Sequence, residues 1–126
     1  MRDSVLTGEV LLRRGERMES LGAGLFAIVS RLHGFGADAL LLADFAAPRQ
    51  GERALDLGTG CGILPLFWCR EGKLAHATGL EIQQAGYDQF RRSILLNHLE
   101  GRLCAACGDL RDWGPPAGEK LFDLVT

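Results

Sequence analysis

An acidic residue and three glycines occupy alternate positions in the middle of the chain, in the stretch "LDLGTGCG", where Asp56 precedes Gly58, Gly60 and Gly62. The residues before them, "RALDL", predict a buried strand, and those after them, "ILPLFWCREG", predict a helix. Glycines between a strand and a helix allow a sharp turn and let a ligand touch the backbone. The stretch therefore predicts a binding loop for a nucleotide-like ligand.

The spacing of the glycines and the presence of Asp56 narrow the class of ligand. G-x-G-x-G differs from the G-x-G-x-x-G of dinucleotide sites and from the G-x-x-x-x-G-K-[ST] of phosphate loops. A carboxylate at this place would repel a pyrophosphate that sits on the backbone N–H groups. It would attract a ligand with ammonium and sulfonium groups, and S-adenosylmethionine (SAM) is such a ligand. The alternative is that Asp56 only stabilises the turn. The acids that follow in the sequence favour the ligand-binding role.

Two further acids come at the ends of the next two predicted strands. Glu81 closes "AHATGLEI", and Asp109 follows "RLCAAC". The carboxyl ends of neighbouring strands in a doubly wound sheet face one crevice, so Glu81 can accept both hydroxyls of a ribose. The alternative for Glu81 is an exposed acid at the start of the next helix. Asp109 either accepts from an adenine amino group or caps a turn, and the sequence favours neither.

Strands and helices alternate from residue 35 onward. The predicted strands are "RALDL", "AHATGLEI", "RLCAAC" and "KLFDLVT", with helices between them. This alternation predicts an α/β fold with a Rossmann-like, doubly wound parallel sheet and helices on both faces, of which the chain holds the first four core strands. We expect residues 1–34 to form an N-terminal segment and residues 35–126 to form the first part of the sheet domain.

Two helices and an N-terminal hairpin have predicted limits. The helix "DALLLADFAAP" begins with Asp38 as its cap, and "QQAGYDQFRRSILLNHLEG" ends at Gly101. Ahead of them, "EVLLRRGERME" predicts a hairpin that turns at Arg14 and Gly15, and "GLFAIVSRL" predicts a short strand or helix. The apolar faces of the two helices consist of Leu41, Leu42 and Phe45 in the first and Tyr87, Phe90 and Ile94 in the second.

The composition fits one globular domain of 126 residues, of which 47% are hydrophobic. Fourteen Lys and Arg residues against 16 Asp and Glu residues give a formal charge of −2, which is not the basic balance typical of nucleic-acid binders. We find no signal peptide or apolar run long enough for a membrane and expect a cytoplasmic protein. The N-terminal arginines 13, 14, 17 and 31 are interleaved with glutamates 9, 16 and 19, which indicates a solvated face.

Cys104 and Cys107 have the C-x-x-C spacing of half a zinc site. A zinc site needs further ligands at a similar spacing, and the sequence offers no second pair. Residues three apart in a strand also point to opposite faces. We therefore expect these cysteines to be small apolar fillers, with no metal bound.

The stretches "HGFGADALLLADFA", "DLGTGCGILPL", "GLEIQ" and "FDLVT" resemble the Rossmann-like class of SAM-dependent methyltransferases. Within that class they resemble the bacterial enzymes that methylate N6 of an anticodon-loop adenine in valine tRNA. The resemblance covers roughly residues 25–126. It implies that SAM is the cofactor and that tRNA is the partner of the full-length protein, with no membrane or metal.

The resemblance also implies roles for individual residues. Asp56 and the three glycines would line the methionine end of SAM. Glu81 would hold the ribose, Ile82 would lie against the adenine face, and Asp109 would accept from the adenine amino group. Phe35 and Asp38 match a segment that closes over the cofactor.

In that family the fourth strand runs into an Asn-Pro-Pro-Tyr catalytic turn, and here "KLFDLVT" is the last stretch. We therefore expect no catalytic residue among these 126 residues, and we expect the chain alone to be inactive. Two alternatives stay open at this point. One is a protein glutamine N-methyltransferase, which uses the same catalytic turn, and the other is a non-catalytic SAM-binding remnant.

Overall fold

The computed structural model describes residues 4–7, 10–70 and 72–126. Eight strands and three helices lie in this part of the chain. In chain order they are β1 (Ser4–Thr7), β2 (Val10–Leu12), β3 (Glu16–Gly22), β4 (Leu25–Ser30), α1 (Ala37–Ala46), β5 (Arg53–Leu57), α2 (Ile63–Trp68), β6 (His76–Glu81), α3 (Gln84–Leu96), β7 (Leu103–Cys107) and β8 (Leu124–Val125).

The central sheet is parallel and has the strand order β7-β6-β5-β8. The chain steps from β5 to β6 to β7 in one direction, and β8 then pairs with the other side of β5. The strand order therefore reverses between β5 and β8, as the predicted fold requires. Right-handed crossovers in one direction place α2 and α3 on the same face of the sheet. These two helices therefore cover one face, whereas the sequence predicts helices on both.

The N-terminal strands form two antiparallel hairpins, β1 with β2 and β3 with β4. A turn does lie at the predicted place, because the N–H of Glu16 donates to the carbonyl of Arg13 at 3.0 Å. The strands on either side of it pair with other partners, however, so the predicted hairpin at Arg14 and Gly15 is wrong in its pairing. The stretch after it is a strand, β4, which was one of the two predicted alternatives.

Polar side chains of α3 hold the second hairpin. The hydroxyl of Ser93 accepts from the N–H of Ile28 at 2.8 Å, and Gln89 donates to the carbonyl of Ile28 at 3.1 Å. One turn further on, the amide of Asn97 both accepts from and donates to the backbone of Phe26. Residues 89, 93 and 97 are four apart and share a helix face. This polar stripe supplies the hydrogen bonds that a further strand would otherwise give to β4.

The helix α1 differs from its prediction at its start and on its apolar face. Its N-cap is Gly36, which makes no side-chain capping bond in the described structure, and Asp38 lies inside the first turn. Asp38 is therefore not the cap. Leu41 and Phe45 are 71% and 90% exposed, whereas Ala43 is fully buried. The helix packs through its smaller residues because the indole of Trp68 donates to the carbonyl of Ala43 at 2.9 Å, which holds α1 close to α2.

The last helix and the last strand are shorter than predicted. The helix α3 ends at Leu96 rather than Gly101, because Asn97 caps it and His98 adopts a positive φ of 56°. The stretch "KLFDLVT" is a strand only over Leu124–Val125, and Val125 is 55% exposed. The predicted strand there is correct in position, and it is half exposed because β8 pairs with β5 alone among the described strands.

The cysteine pair lies on β7, which is an edge strand. Cys104 and Cys107 are both exposed, so they do not pack as the small apolar fillers that the sequence predicts. No group of three or more potential metal ligands occurs within the described residues. In the same part of the chain, no helix is long and apolar enough to cross a membrane.

A buried arginine joins α3 to the N-terminal hairpins. The guanidinium of Arg92 donates to both carboxylate oxygens of Glu16, at 2.6 and 2.7 Å, and to Asp88 at 2.9 Å. It also donates to the carbonyl of Leu11 at 2.8 Å. Burial alone would raise the pKa values of Glu16 and Asp88, but the hydrogen bonds and charges of their arginine partners prevail and lower both. The arginines therefore keep both carboxylates ionised despite their burial.

We predict that Arg92→Ala lowers the free energy of unfolding by about 3–5 kcal/mol, because it leaves the buried carboxylate of Glu16 without its cation and removes one of the cations of Asp88. The matched control is Arg91→Ala, since Arg91 also pairs with Asp88 but is 45% exposed. The control should cost less than about 1 kcal/mol. Urea unfolding of both variants measures the difference, and equal losses would contradict the assigned role of Arg92.

The same cluster predicts a pH dependence. The folded-state pKa values of Glu16 and Asp88 lie below their unfolded values. Their contribution is therefore fully present above about pH 4 and is lost as the pH falls through the folded values. The difference in stability between the wild type and Arg92→Ala should shrink in that window.

Candidate functional site

The predicted site residues meet at the carboxyl edge of the sheet. Asp56 lies near the end of β5, Glu81 is the last residue of β6, and Asp109 follows β7 by two positions. The glycine loop, residues 58–62, leaves β5 and leads directly into α2. Ligands of open α/β sheets bind outside this edge, at the point where the strand order reverses.

Asp56 is 5% exposed and is held by two hydroxyls. Its carboxylate accepts from Thr59 in the glycine loop at 2.7 Å and from Thr126 after β8 at 2.8 Å. Backbone bonds between Leu55, Leu57 and Thr126 keep β8 in place beside this carboxylate. Asp56 thus ties the glycine loop to the strand on the far side of the reversal, so the turn-stabilising role is present.

Glu81 is 8% exposed and fixes the glycine loop from the other side. One carboxylate oxygen accepts from the N–H of Gly60 at 2.8 Å, and the other accepts from the N–H of Gln83 at 3.0 Å. The N–H of Thr59 also donates to the carbonyl of Leu80 at 2.9 Å. Glu81 is therefore a buried acid that faces the loop, which is contrary to the alternative of an exposed acid.

Neither of these two carboxylates has a cationic partner among the residues that the structure describes. The ion pairs of the described residues all lie elsewhere, around Glu16, Glu19, Asp88 and Asp109. Burial raises the pKa of Asp56, the hydroxyls of Thr59 and Thr126 oppose that rise, and the nearby charge of Glu81 adds to it. The carboxyl edge of β5 and β6 therefore holds negative charge that the described side chains do not neutralise.

The three glycines of the loop have positive φ angles of 62–86° but different surroundings. A Cβ added to Gly58 or Gly60 would meet nothing within 4 Å among the described residues, so their backbone borders open space. A Cβ at Gly62 would lie 2.0 Å from the ring of Phe90. The first two glycines thus leave room for a ligand, whereas the third lets the ring of α3 pack against the start of α2.

Asp109 and Ile82 border the same edge but are more exposed. The N–H of Gly108 donates to the carbonyl of Glu81 at 3.1 Å, which keeps Asp109 beside β6. The carboxylate of Asp109 accepts from the N–H and the guanidinium of Arg111, and this bonding lowers its pKa. It caps its own turn in this structure, which was one of its two predicted roles. Ile82 is 62% exposed beside Glu81.

The segment before α1 approaches the glycine loop. The thiol of Cys61 points at the carbonyl of Gly34 at 4.0 Å, and Phe35 packs against the core. Burial raises the pKa of Cys61 to about 11, so its thiol is neutral. On the far side of Glu81, a ring nitrogen of His33 lies 2.9 Å from the side-chain oxygen of Gln83. The segment that contains Phe35 and Asp38 thus begins next to the site.

The comparisons with solved structures agree with this arrangement. A SAM-dependent methyltransferase from Thiobacillus denitrificans in complex with S-adenosyl-L-homocysteine superimposes with a TM-score of 0.59 at 23% identity, over 75% of this chain and 38% of that one. TYW2 from M. jannaschii, in complex with AdoMet, gives a TM-score of 0.66 at 16% identity, over 87% of this chain and 49% of that one. The chain has the fold of the SAM-dependent methyltransferases.

Curated relatives give the same result at the level of sequence. The tRNA1(Val) (adenine(37)-N6)-methyltransferase of Pasteurella multocida is 33% identical over 92 residues, which are 72% of this chain and 38% of that protein. The enzyme of the same name from Glaesserella parasuis is 27% identical over 71% of this chain and 37% of its own length. The resemblance predicted from the sequence is confirmed, and this methyltransferase-like chain spans less than two fifths of these relatives. No family model matches it.

Several residues shape this edge of the sheet although the sequence does not place them there. The sequence predicts Phe90 as part of an apolar helix face but not its contacts with two glycines. Besides Gly62, its ring packs against Gly79, where an added Cβ would lie 2.6 Å away. Thr59 and Thr126 have no distinctive spacing, and only the fold brings their hydroxyls to Asp56. The glycine in the middle of "HATGLE" was the one available signal, since a glycine inside a strand indicates close approach.

We predict that Gly62→Ala is far more destabilising than Gly60→Ala. Both residues have positive φ, which costs an alanine about 1–2 kcal/mol. Only at Gly62 does the new methyl group collide with a buried ring, that of Phe90. Gly62→Ala should therefore lose at least a further 1–3 kcal/mol, roughly the cost of overpacking a core. Chemical denaturation of both variants measures this, and similar stabilities would contradict the role assigned to Phe90.

We also predict that Asp56→Asn stabilises the unliganded fold as the pH rises. The raised pKa means that the folded state holds its proton more tightly than the unfolded state. As the pH rises from the unfolded-state pKa of about 3.9 through the raised folded-state pKa, the wild type loses stability. The Asp56→Asn variant has no proton to lose at this position and does not show this decline. Thermal melts of both proteins across the acid range test this, and a difference that is independent of pH would contradict the assignment.

Proposed function

We propose that this chain is the cofactor-binding part of a SAM-dependent methyltransferase that modifies an adenine N6 amino group in tRNA. The observation that carries the proposal is the pair of buried acids at the carboxyl edge. Asp56 and Glu81 lie beside an open glycine loop and have no cation among the described residues. A cationic ligand without phosphates suits this charge, whereas a dinucleotide would be repelled.

The residues present fit SAM. Gly58 and Gly60 provide a cradle that a Cβ would fill, so the backbone can approach the methionine part. Asp56 would face the ammonium and sulfonium charges, and Gly62 would border the same end. Glu81 would accept from the ribose hydroxyls with the lone pairs that its two backbone N–H partners leave free. Ile82 would cover the adenine ring. Asp109 would accept a hydrogen bond from the adenine amino group after releasing Arg111.

When bound, SAM supplies a methyl group activated by the sulfonium charge. The chain's own part would be to orient the ligand and to hold it against water. Asp56 reaches across to Thr126, so the methionine end would lie beneath the carboxyl end of β8. An amine acceptor would therefore approach from the side of β8.

The choice of adenine in tRNA rests on the relatives, which are named for that reaction. A base that lies in a helix or a structured loop must be swung out before its amino group can reach a buried cofactor.

We predict that Glu81→Gln and Asp56→Asn weaken SAM binding in distinguishable ways. Each change removes a charge-assisted interaction, and we expect a loss of about 1–3 kcal/mol in calorimetry. 5′-Methylthioadenosine keeps the ribose and adenine but lacks the amino-acid part of SAM. Its binding should weaken in Glu81→Gln and stay unchanged in Asp56→Asn.

The matched control is Glu100→Gln, because Glu100 is an exposed acid on the loop after α3. It should bind both compounds as the wild type does, and NAD should bind to none of the proteins. Wild-type affinity for SAM in Glu81→Gln would remove Glu81 from the site. Tight binding of NAD would contradict the proposed cofactor.

A further inference from the structure

A groove lies between the N-terminal hairpins and the start of α3. Its volume is about 460 Å³, which is in the range of ligand sites. The turn between β2 and β3 forms one wall, the residues that follow β4 form the second, and the first turns of α3 form the third. The side chains that matter for its charge are those of Arg13, Arg14, Glu16, Arg31 and Asp88.

The acids of this groove are already neutralised. Both oxygens of Glu16 accept from the buried guanidinium of Arg92. Asp88 accepts from that same guanidinium and also pairs with Arg13 and Arg91, at 2.8 and 2.9 Å. Three arginines thus pair with two carboxylates, and the Glu16 side chain is buried in this cluster rather than part of the predicted solvated face.

Two arginines remain for a ligand. Arg14 and Arg31 are exposed, and neither has a hydrogen bond or an ion pair with another residue that the structure describes. Arg91 and Arg92 do not line the groove but pair with its two acids, so the positive charges of the three arginines in its lining are not cancelled there. The chain as a whole carries a formal charge of −2. The groove is therefore locally basic on a slightly acidic protein.

The groove is connected to the candidate cofactor site. His33 lines the groove, and its ring nitrogen lies 2.9 Å from the side chain of Gln83. The N–H of Gln83 donates to Glu81 at 3.0 Å. A Cβ at Gly86 would collide with both the His33 ring, at 2.8 Å, and Glu81, at 3.2 Å. A ligand in the groove would thus lie one residue layer from the ribose site.

We propose that this groove binds a phosphodiester segment of the substrate RNA, with Arg14 and Arg31 as the contacting cations. The proposal rests on the proposed function, because it gives the acceptor strand a place beside the cofactor. Arginine recognises phosphate oxygens through its fork of N–H groups. The arginines that stay paired with Asp88 and Glu16 act as positioning residues and hold the walls of the groove. Contacts of this kind place the nucleic acid without reading its sequence.

The test measures binding of a fluorescein-labelled RNA hairpin to the 126-residue chain by anisotropy, at several salt concentrations. Arg14→Gln and Arg31→Gln should each weaken binding several-fold and reduce the slope of log K against log salt by about one. Arg14→Lys, which keeps the charge but lacks the fork of N–H groups, should keep the salt slope and only part of the affinity. The matched control is Arg49→Gln, because Arg49 is an exposed arginine on the loop after α1 and should leave binding unchanged.

Three results would overturn the proposal. The first is no binding of the RNA by the wild type, and the second is an equal loss in Arg49→Gln, which would indicate a diffuse field. The third is wild-type affinity in both glutamine variants. Inorganic pyrophosphate, titrated in the same assay, distinguishes the source of the phosphate, since binding of pyrophosphate without RNA would assign the groove to a small anion.

Calorimetry with SAM on the same samples separates this proposal from the proposed function. SAM binding without RNA binding rejects the groove alone. RNA binding that depends on Arg14 and Arg31, without SAM binding, rejects the proposed cofactor and leaves the groove in place.

Discussion

Two buried carboxylates, with no cation beside them among the described residues, hold the glycine loop, β6 and β8 together at the carboxyl edge of the sheet. Asp56 and Glu81 are each less than a tenth exposed, and the described residues hold them only with hydroxyl and backbone N–H donors. Such burial costs free energy unless the charge is compensated. The fold tolerates that cost at one place, the carboxyl edge of the sheet, which is where a cationic ligand would offset it.

The packing of Phe90 fixes the positions of those carboxylates relative to each other. The ring of Phe90 fits between the glycine loop and β6 only because Gly62 and Gly79 lack side chains. This contact presses α3 against the sheet and fixes where the loop meets Glu81. The same helix presents Gln89 and Ser93 to the backbone of β4 and Arg92 to the N-terminal hairpins. One helix thus positions both the candidate cofactor site and the basic groove.

Much of the central sheet could be predicted from the sequence, because alternating apolar runs and a glycine turn determine local structure. The place of β8 beside β5 followed from the topology of doubly wound sheets. The exposure of Leu41 and Phe45 on α1 could not be predicted, since a helical apolar face does not reveal what covers it.

The sequence also does not show which residues far apart in the chain pair with each other in the fold. The interleaved acids near the N-terminus suggested that the arginines there are screened. Which acid pairs with which arginine depends on α3, which is some 70 residues away in the chain, as the pairing of Glu16 with Arg92 illustrates. The hydroxyl of Thr126 reaches Asp56 for the same reason, because strand order brings distant residues together.

The most direct test of the central claim is the number of protons released when SAM binds. A cationic ligand beside Asp56 would lower the raised pKa of that carboxyl and so expel its proton at a pH between the two values. Calorimetry in buffers of different ionisation enthalpy measures this release. The wild type should release protons when it binds SAM, and Asp56→Asn should not. Binding of SAM without proton release, or an unchanged release in Asp56→Asn, would contradict the claim.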